Sequence, residues 1–270
     1  MPSRPVLRVS LAALALAVVS TVASAQQPPA PAEPVLGQKG KDVQWVPSPA
    51  PLIEKMLDMA KVTPKDYLVD LGSGDGVTVI AAAQRGVRAM GIEYDGNLVE
   101  VSKRNARAAG VEPLTRFVRG DIFKTDFSKA TVVTTFLLPS LNLQLRPTIL
   151  RMKPGTRVVS NTFPMGDWEP DDRVRIDGPC ERWCEALFWV VPARVGGTWR
   201  TPKGDLVLTQ RFQFVTGTLG KDEIQNGRLR GVDLSFTAGG ATYTARVSDY
   251  RMTGTFEAEG KTSTWNAVHR

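Results

Sequence analysis

Asp70-Leu71-Gly72-Ser73-Gly74-Asp75-Gly76 follows the apolar run Tyr67–Leu71 and precedes the helix-compatible stretch Val77–Gln84. A buried strand, a glycine-rich turn and a helix, in that order, make the ligand-binding corner of an α/β unit. The glycines permit a sharp turn and let a ligand approach the backbone closely. A dinucleotide fingerprint, G-x-G-x-x-G, would need glycine at position 77, where Val77 stands. The loop is also acidic. Asp70 and Asp75 repel a pyrophosphate but attract a sulfonium ligand that carries an α-ammonium group. The N-terminus of the following helix presents amides and a partial positive charge to that ligand's carboxylate. Asp70, Gly72, Ser73, Gly74, Asp75 and Gly76 are therefore candidate cofactor-binding residues.

Outward from this corner, strand and helix patterns alternate. Arg88–Glu93, Thr115–Arg119 and residues 131–138 and 156–161 read as strands. Residues 48–60, 97–109 and 141–152 carry apolar residues at helical spacing, with Asp95 as a cap and Gly110 as a stop for the second. Pro147 is expected to bend or interrupt the third. The alternation predicts parallel βαβ units and an α/β fold with a doubly wound, Rossmann-like sheet. Ligands on such a sheet lie beyond the carboxyl ends of the strands, at the switch point. Glu93 ends the second strand about 20 residues after the loop, where an acid accepts from both ribose hydroxyls, and Tyr94 follows it. Asp121 ends the third strand, placed to accept from an adenine amino group while Ile122 covers the ring.

These residues resemble the class I S-adenosylmethionine-dependent methyltransferases over residues 45–168. A narrower pattern is carried by Trp45-Val46-Pro47-Ser48-Pro49, Asp70 to Gly76, Phe136-Leu137-Leu138-Pro139 and Leu141-Asn142. Leu145-Arg146-Pro147 and Met165-Gly166-Asp167-Trp168-Glu169-Pro170 complete it. It is similar to the small protein-lysine methyltransferases of the ATP synthase c-subunit type and their bacterial relatives. The resemblance implies S-adenosylmethionine as cofactor and in-line methyl transfer to a protein, through lysine, or to a small molecule. It assigns no catalytic residue. Val77 stands where the family carries a basic residue, and the C-terminal third lies outside the pattern. Trp45, Phe136 and Trp168 are candidates for an acceptor channel, with core packing the alternative for each. Base-modifying amino-methyltransferases carry Asn/Asp-Pro-Pro-aromatic after the fourth strand. Here Thr135-Phe136-Leu137-Leu138-Pro139 stands there, which argues against a nucleic-acid base as acceptor.

The remaining segments divide by texture. Arg4 and Arg8 precede an apolar stretch over residues 9–22 and an Ala23-Ser24-Ala25 site, the plan of a signal peptide over residues 1–25. The reading implies export, to a periplasmic or secreted location, with no membrane span after cleavage. Residues 26–40 are rich in Pro, Ala and Gln and read as a flexible linker. The methyltransferase domain spans residues 41–192. From residue 193 to 270 runs such as 206–215 and 241–247 alternate at period two between glycines, which predicts a small antiparallel β-rich module or barrel. Cys180 and Cys184 lie four apart; an extended strand would hold their Cα atoms about 13 Å apart, so a bridge requires a tight loop or helical turn. No metal site is expected, since the single histidine, His269, is remote from them. The net charge of +7 is dispersed with no dense basic run, so no specific nucleic-acid partner is expected. Nothing in the sequence sets the oligomeric state. An exported, non-catalytic scaffold that keeps the cofactor fold and recognises partners with the β module is the alternative function.

Overall fold

In the computed structural model, residues 1–2, 30–177, 180 and 182–270 are described. The signal-peptide reading and the start of the linker fall outside them. Residues from Pro31 to Arg270 form one compact unit.

Strands β1 (Tyr67–Leu71), β2 (Arg88–Glu93), β3 (Thr115–Arg119), β4 (Val132–Thr135) and β5 (Arg157–Asn161) pair in parallel. Two further strands, β6 (Asp172–Arg175) and β7 (Glu185–Val190), add an antiparallel edge, giving the order β3-β2-β1-β4-β5-β7-β6. The chain leaves β1 in one direction for β2 and β3 and returns to its other side for β4 and β5. The crevice at that reversal is where ligands bind on such sheets. β1 and β4 are buried along almost their whole length because both faces are covered. Helices α1 (Ala50–Met59), α2 (Val77–Gln84), α3 (Gly96–Ala108) and α4 (Pro139–Ile149) supply the cover. Leu52, Ile53, Met56 and Leu57 of α1 join Val79 and Ala82 of α2 in one core layer. Leu141, Leu145 and Ile149 of α4 join Val69, Val133 and Val158 in the other.

The fold corrects the sequence expectations at several points. The fourth strand is shorter than residues 131–138, because Pro139 starts α4 at its first turn, where a missing amide costs nothing. Pro147 does not interrupt α4, which runs through it to Ile149. Residues 31–40 are not a free linker: Asn97 on α3 exchanges hydrogen bonds with the Ala32 backbone at 3.1 and 2.8 Å, and Arg104 pairs with Glu33 at 2.7 Å.

Strands β8 (Gly197–Thr201), β9 (Gly204–Arg211), β10 (Phe214–Leu219), β11 (Asp222–Glu223), β12 (Gln225–Arg230), β13 (Asp233–Ala238), β14 (Ala241–Ser248), β15 (Arg251–Ala258) and β16 (Lys261–His269) form the second sheet. Its order β10-β12-β13-β14-β15-β16-β8-β9 closes through pairing of β9 with β10, so eight strands make a barrel and β11 flanks β10. Closure removes the free edges that an open sheet would expose. The run 206–215, expected as one alternating strand, is instead a hairpin that turns at Phe212, whose φ is 54°. β14 alternates buried and exposed residues throughout, and its Tyr243 stacks on Phe236 at 4.8 Å inside the barrel.

The barrel is docked on the first sheet by polar groups as well as apolar ones. Gln213 is fully buried; it accepts from the Trp168 indole at 3.0 Å and donates to the Glu169 carbonyl at 2.8 Å. Phe212 stacks on Trp168 at 6.1 Å, and Arg228 pairs with the buried Asp171 carboxylate at 2.9 Å.

Candidate active site

The carboxyl end of β1 runs into a loop whose Gly72, Gly74 and Gly76 all have left-handed φ, at 78°, 55° and 85°. A side chain in that region costs about 1–2 kcal/mol per residue, so the glycines fix the path of the turn. The Gly72 and Ser73 amides donate to the Ile92 carbonyl at 2.9 and 3.2 Å, tying the loop to β2. Gly76 does not face the cavity. It caps the start of α2, and a Cβ there would press on Phe117 of β3 and Ser102 of α3, so its position is structural.

Glu93 closes β2 with both oxygens engaged. One accepts from the Gly74 amide at 2.9 Å and the other from the Asp95 amide at 2.9 Å. The carboxylate is thereby locked in orientation beside the glycine loop, while Asp95 caps α3 by accepting from the Asn97 amide at 2.8 Å. Asp121 accepts from the Phe123 amide at 2.9 Å and from Lys41 at 3.1 Å. That amide, and then Lys41, hold its carboxyl below the usual range, and the Asp121 hydrogen bond raises Lys41.

Asp70 is the most perturbed group. Burial pushes its carboxyl up to about 7, the Thr134 hydroxyl at 2.6 Å opposes the rise, and the Glu93 and Asp75 charges add to it. Burial also raises Asp75. One cavity is lined by Asp70, Gly72, Ser73, Gly74, Asp75, Glu93, Tyr94, Asp121, Ile122, Trp45 and Phe136 together. Its wall carries the carboxylates of Asp42, Asp70, Asp75, Glu93, Asp95 and Asp121 against a single ammonium, Lys41. On a chain of net charge +7, so acidic a cavity is built for a cation. Among the described residues, the buried hydroxyls of Ser73 and Thr135 on this wall have no hydrogen-bond partner. Orphaned buried hydroxyls of that kind fit a site that a polar ligand completes.

Trp168 has no place in that cavity. It is fully buried, donates to Gln213 and packs on Trp189 at 5.9 Å, so it joins the two sheets and the acceptor-channel reading for it is corrected. Sequence reasoning also misses Lys41 and the segment that carries it. Residues 37–45 fold back on themselves through Gly37 amide to Trp45 carbonyl and Trp45 amide to Gln38 carbonyl bonds, both 3.0 Å. This strap covers the glycine loop, with the Trp45 indole close enough that a Cβ on Gly74 would lie 2.7 Å from its nitrogen. Lys41 lies over the Tyr94 ring at 5.1 Å. No local pattern signals such a strap, because its partners are distant in sequence. Cys180 and Cys184 form a disulfide with their Cα atoms 5.8 Å apart, the tight-turn option of the sequence reading.

Comparison with known proteins agrees with this geometry. The family model described as the ANTKMT methyltransferase domain matches residues 70–172. A protein-lysine N-methyltransferase of Saccharolobus islandicus is 38% identical over 138 residues, covering 50% of this chain and 86% of that one. The human lysine N-methyltransferase of the ATP synthase c-subunit is 37% identical over 128 residues, 47% of this chain; the chain spans 54% of that enzyme's length. A solved RNA methyltransferase from Salinibacter ruber, in complex with S-adenosyl-L-homocysteine, has 45% identity and a TM-score of 0.52, covering 56% of this chain and 96% of that one. The acidic glycine corner, the oriented Glu93 and these matches agree on the cofactor, S-adenosylmethionine. The chain belongs to the class I S-adenosylmethionine-dependent methyltransferases, in one family with the Saccharolobus protein-lysine N-methyltransferase.

Proposed function

We propose that this methyltransferase acts on the ε-amine of a protein lysine, outside the cytosol. The carrying observation is the similarity to the Saccharolobus protein-lysine enzyme across most of that enzyme's length. Its relatives differ in acceptor, the Salinibacter protein being an RNA methyltransferase by name. Two features favour lysine. The cavity wall is acidic, which repels a phosphate backbone. The turn after β4 presents Phe136, an apolar group suited to an aliphatic stem, where a base-modifying enzyme places its Pro-Pro-aromatic motif.

In this reading Asp70 and Asp75 face the cofactor's ammonium, Glu93 its ribose, and Asp121 with Ile122 its adenine. The bound cofactor supplies an electrophilic methyl on a sulfonium. The chain's own share is to hold donor and acceptor in line and to exclude water. An amine beside the aromatic rim loses hydration, which favours its neutral, nucleophilic form.

Export rests on the Arg-led apolar N-terminus and its Ala23-Ser24-Ala25 site, with cleavage before Gln26. The Cys180–Cys184 disulfide supports it, since such bridges persist in oxidising compartments. Mass spectrometry of the native protein from fractionated cells should find a chain starting at Gln26; a full-length chain in the cytosol refutes export. For the acceptor, the protein and isotope-labelled cofactor are added to extracts of cells lacking the gene. Label should appear on protein lysine. Label on RNA overturns the lysine assignment, and cofactor binding with no labelled product favours the scaffold reading.

A further inference from the structure

The aromatic rim of the cavity extends past its wall. Phe136 lines the cavity and is half-buried. Phe163 lies nearly parallel to it, with ring centroids 6.0 Å apart and planes at 15°. Trp183 meets it edge-on, at 5.8 Å and 66°. Both of these rings are half-buried as well. Rings of this size are usually spent on a core. Here three stand together at the surface, on the β4 side of the glycine loop, away from the Glu93 and Asp121 end. With the ribose at Glu93 and the adenine at Asp121, as proposed above, this is the side left for an acceptor.

The backbone that presents them is held in unusual conformations. Trp183 has φ 57° and Thr162, before Phe163, has φ 60°. Non-glycine residues persist in that region only when their surroundings fix them. Thr162 is fixed by its amide donating to the Glu185 carbonyl at 2.7 Å. Trp183 is fixed by its neighbours. Cys184 is buried and its carbonyl accepts from the Ile176 amide at 2.9 Å, while the covalent bridge to Cys180 pins the other side of the bend. A bridge between residues four apart constrains little chain, so its weight falls on the local geometry of Trp183 rather than on global stability.

We propose that Phe136, Phe163 and Trp183 form an aromatic collar that grips the acceptor's aliphatic stem and amine, with Trp183 as its specificity-determining residue and the Cys180–Cys184 bridge as its clamp. Aromatic faces pack on the methylene stem and exclude water from the amine at its end, so one substrate class satisfies both features. The assignment rests on the lysine reading above.

The test needs no knowledge of the natural acceptor. The probe is an adenosine conjugate whose sulfonium is replaced by a nitrogen that carries both the methionine-like arm and a lysine-like aminoalkyl arm. Its affinity is compared with that of S-adenosyl-L-homocysteine by calorimetry on the full oxidised chain. Wild type should bind the conjugate at least tenfold more tightly than S-adenosyl-L-homocysteine. Trp183→Ala should lose most of that advantage while its affinity for S-adenosyl-L-homocysteine stays within twofold, which also shows that the variant is folded. The Cys180→Ser/Cys184→Ser variant, with Trp183 intact but unclamped, should lose the advantage in the same direction. If wild type shows no advantage, the lysine reading itself fails and the collar with it. If wild type shows the advantage and Trp183→Ala keeps it, the lysine reading stands and the collar is overturned. If only the double serine variant keeps it, the clamp is overturned.

Discussion

Replacing Asp70 by asparagine should remove a pH dependence that the wild-type site carries. The carboxyl is fully buried, and desolvation moves it from 3.8 to about 7, with the Thr134 hydroxyl as its one stabilising partner. In the unfolded chain it titrates near its ordinary value. The folded protein therefore binds the extra proton between these two values, and stability falls as pH rises through that window. The ceiling on that loss is about 4 kcal/mol, from the difference between the two pKa values. Cofactor binding has the opposite sign. A ligand ammonium needs the ionised carboxylate, so affinity should rise with pH up to about 7. If the bound state stays ionised, S-adenosyl-L-homocysteine should bind roughly two orders of magnitude more tightly at pH 8 than at pH 5. Asp70→Asn keeps an acceptor for the Thr134 hydroxyl but cannot ionise. It should melt higher than wild type at pH 8, match it near pH 4, and bind S-adenosyl-L-homocysteine more weakly at pH 8 with a flat pH profile. Calorimetry and thermal melts across that range decide. A flat wild-type profile, or the same slope in Asp70→Asn, would refute the assignment of this proton to Asp70.

Three further outcomes follow from the same contacts. Glu93→Ala should weaken cofactor binding by about 1–3 kcal/mol, because it removes a charged acceptor and also frees the Gly74 and Asp95 amides it orients, as calorimetry would show. Gly74→Ala combines a left-handed φ with a Cβ 2.7 Å from the Trp45 indole nitrogen; it should displace the strap, change tryptophan fluorescence and reduce cofactor affinity at least tenfold. Gln213→Ala leaves the buried Trp168 indole and the Glu169 carbonyl unpaired, and should lower stability by about 2–5 kcal/mol in denaturant titration while leaving S-adenosyl-L-homocysteine affinity within twofold.

Local sequence determined the corner that matters most. Strand, glycine turn and helix over residues 67–84 follow from an apolar run, glycines that take left-handed φ at least cost, and helical spacing, all within a few residues of one another. The acids at strand ends, Glu93 and Asp121, were legible for the same reason: a doubly wound sheet turns sequence spacing directly into position along its crevice. What the sequence by itself left open depends on partners far along the chain. The edge strand Asp172–Arg175 is mostly exposed and carries no apolar alternation, and its partner Glu185–Val190 has a continuous apolar run that fits several buried roles. The run over residues 206–215 keeps period-two alternation through a hairpin, so periodicity alone does not reveal the turn at Phe212. Trp168 and Trp45 read alike in sequence. Only tertiary packing sends one into the junction with the barrel and the other over the cofactor loop, because an aromatic ring takes its role from what it is pressed against. The strap bearing Lys41 likewise exists only through contacts with distant elements, and a hydrogen bond across the fold leaves no mark in local pattern.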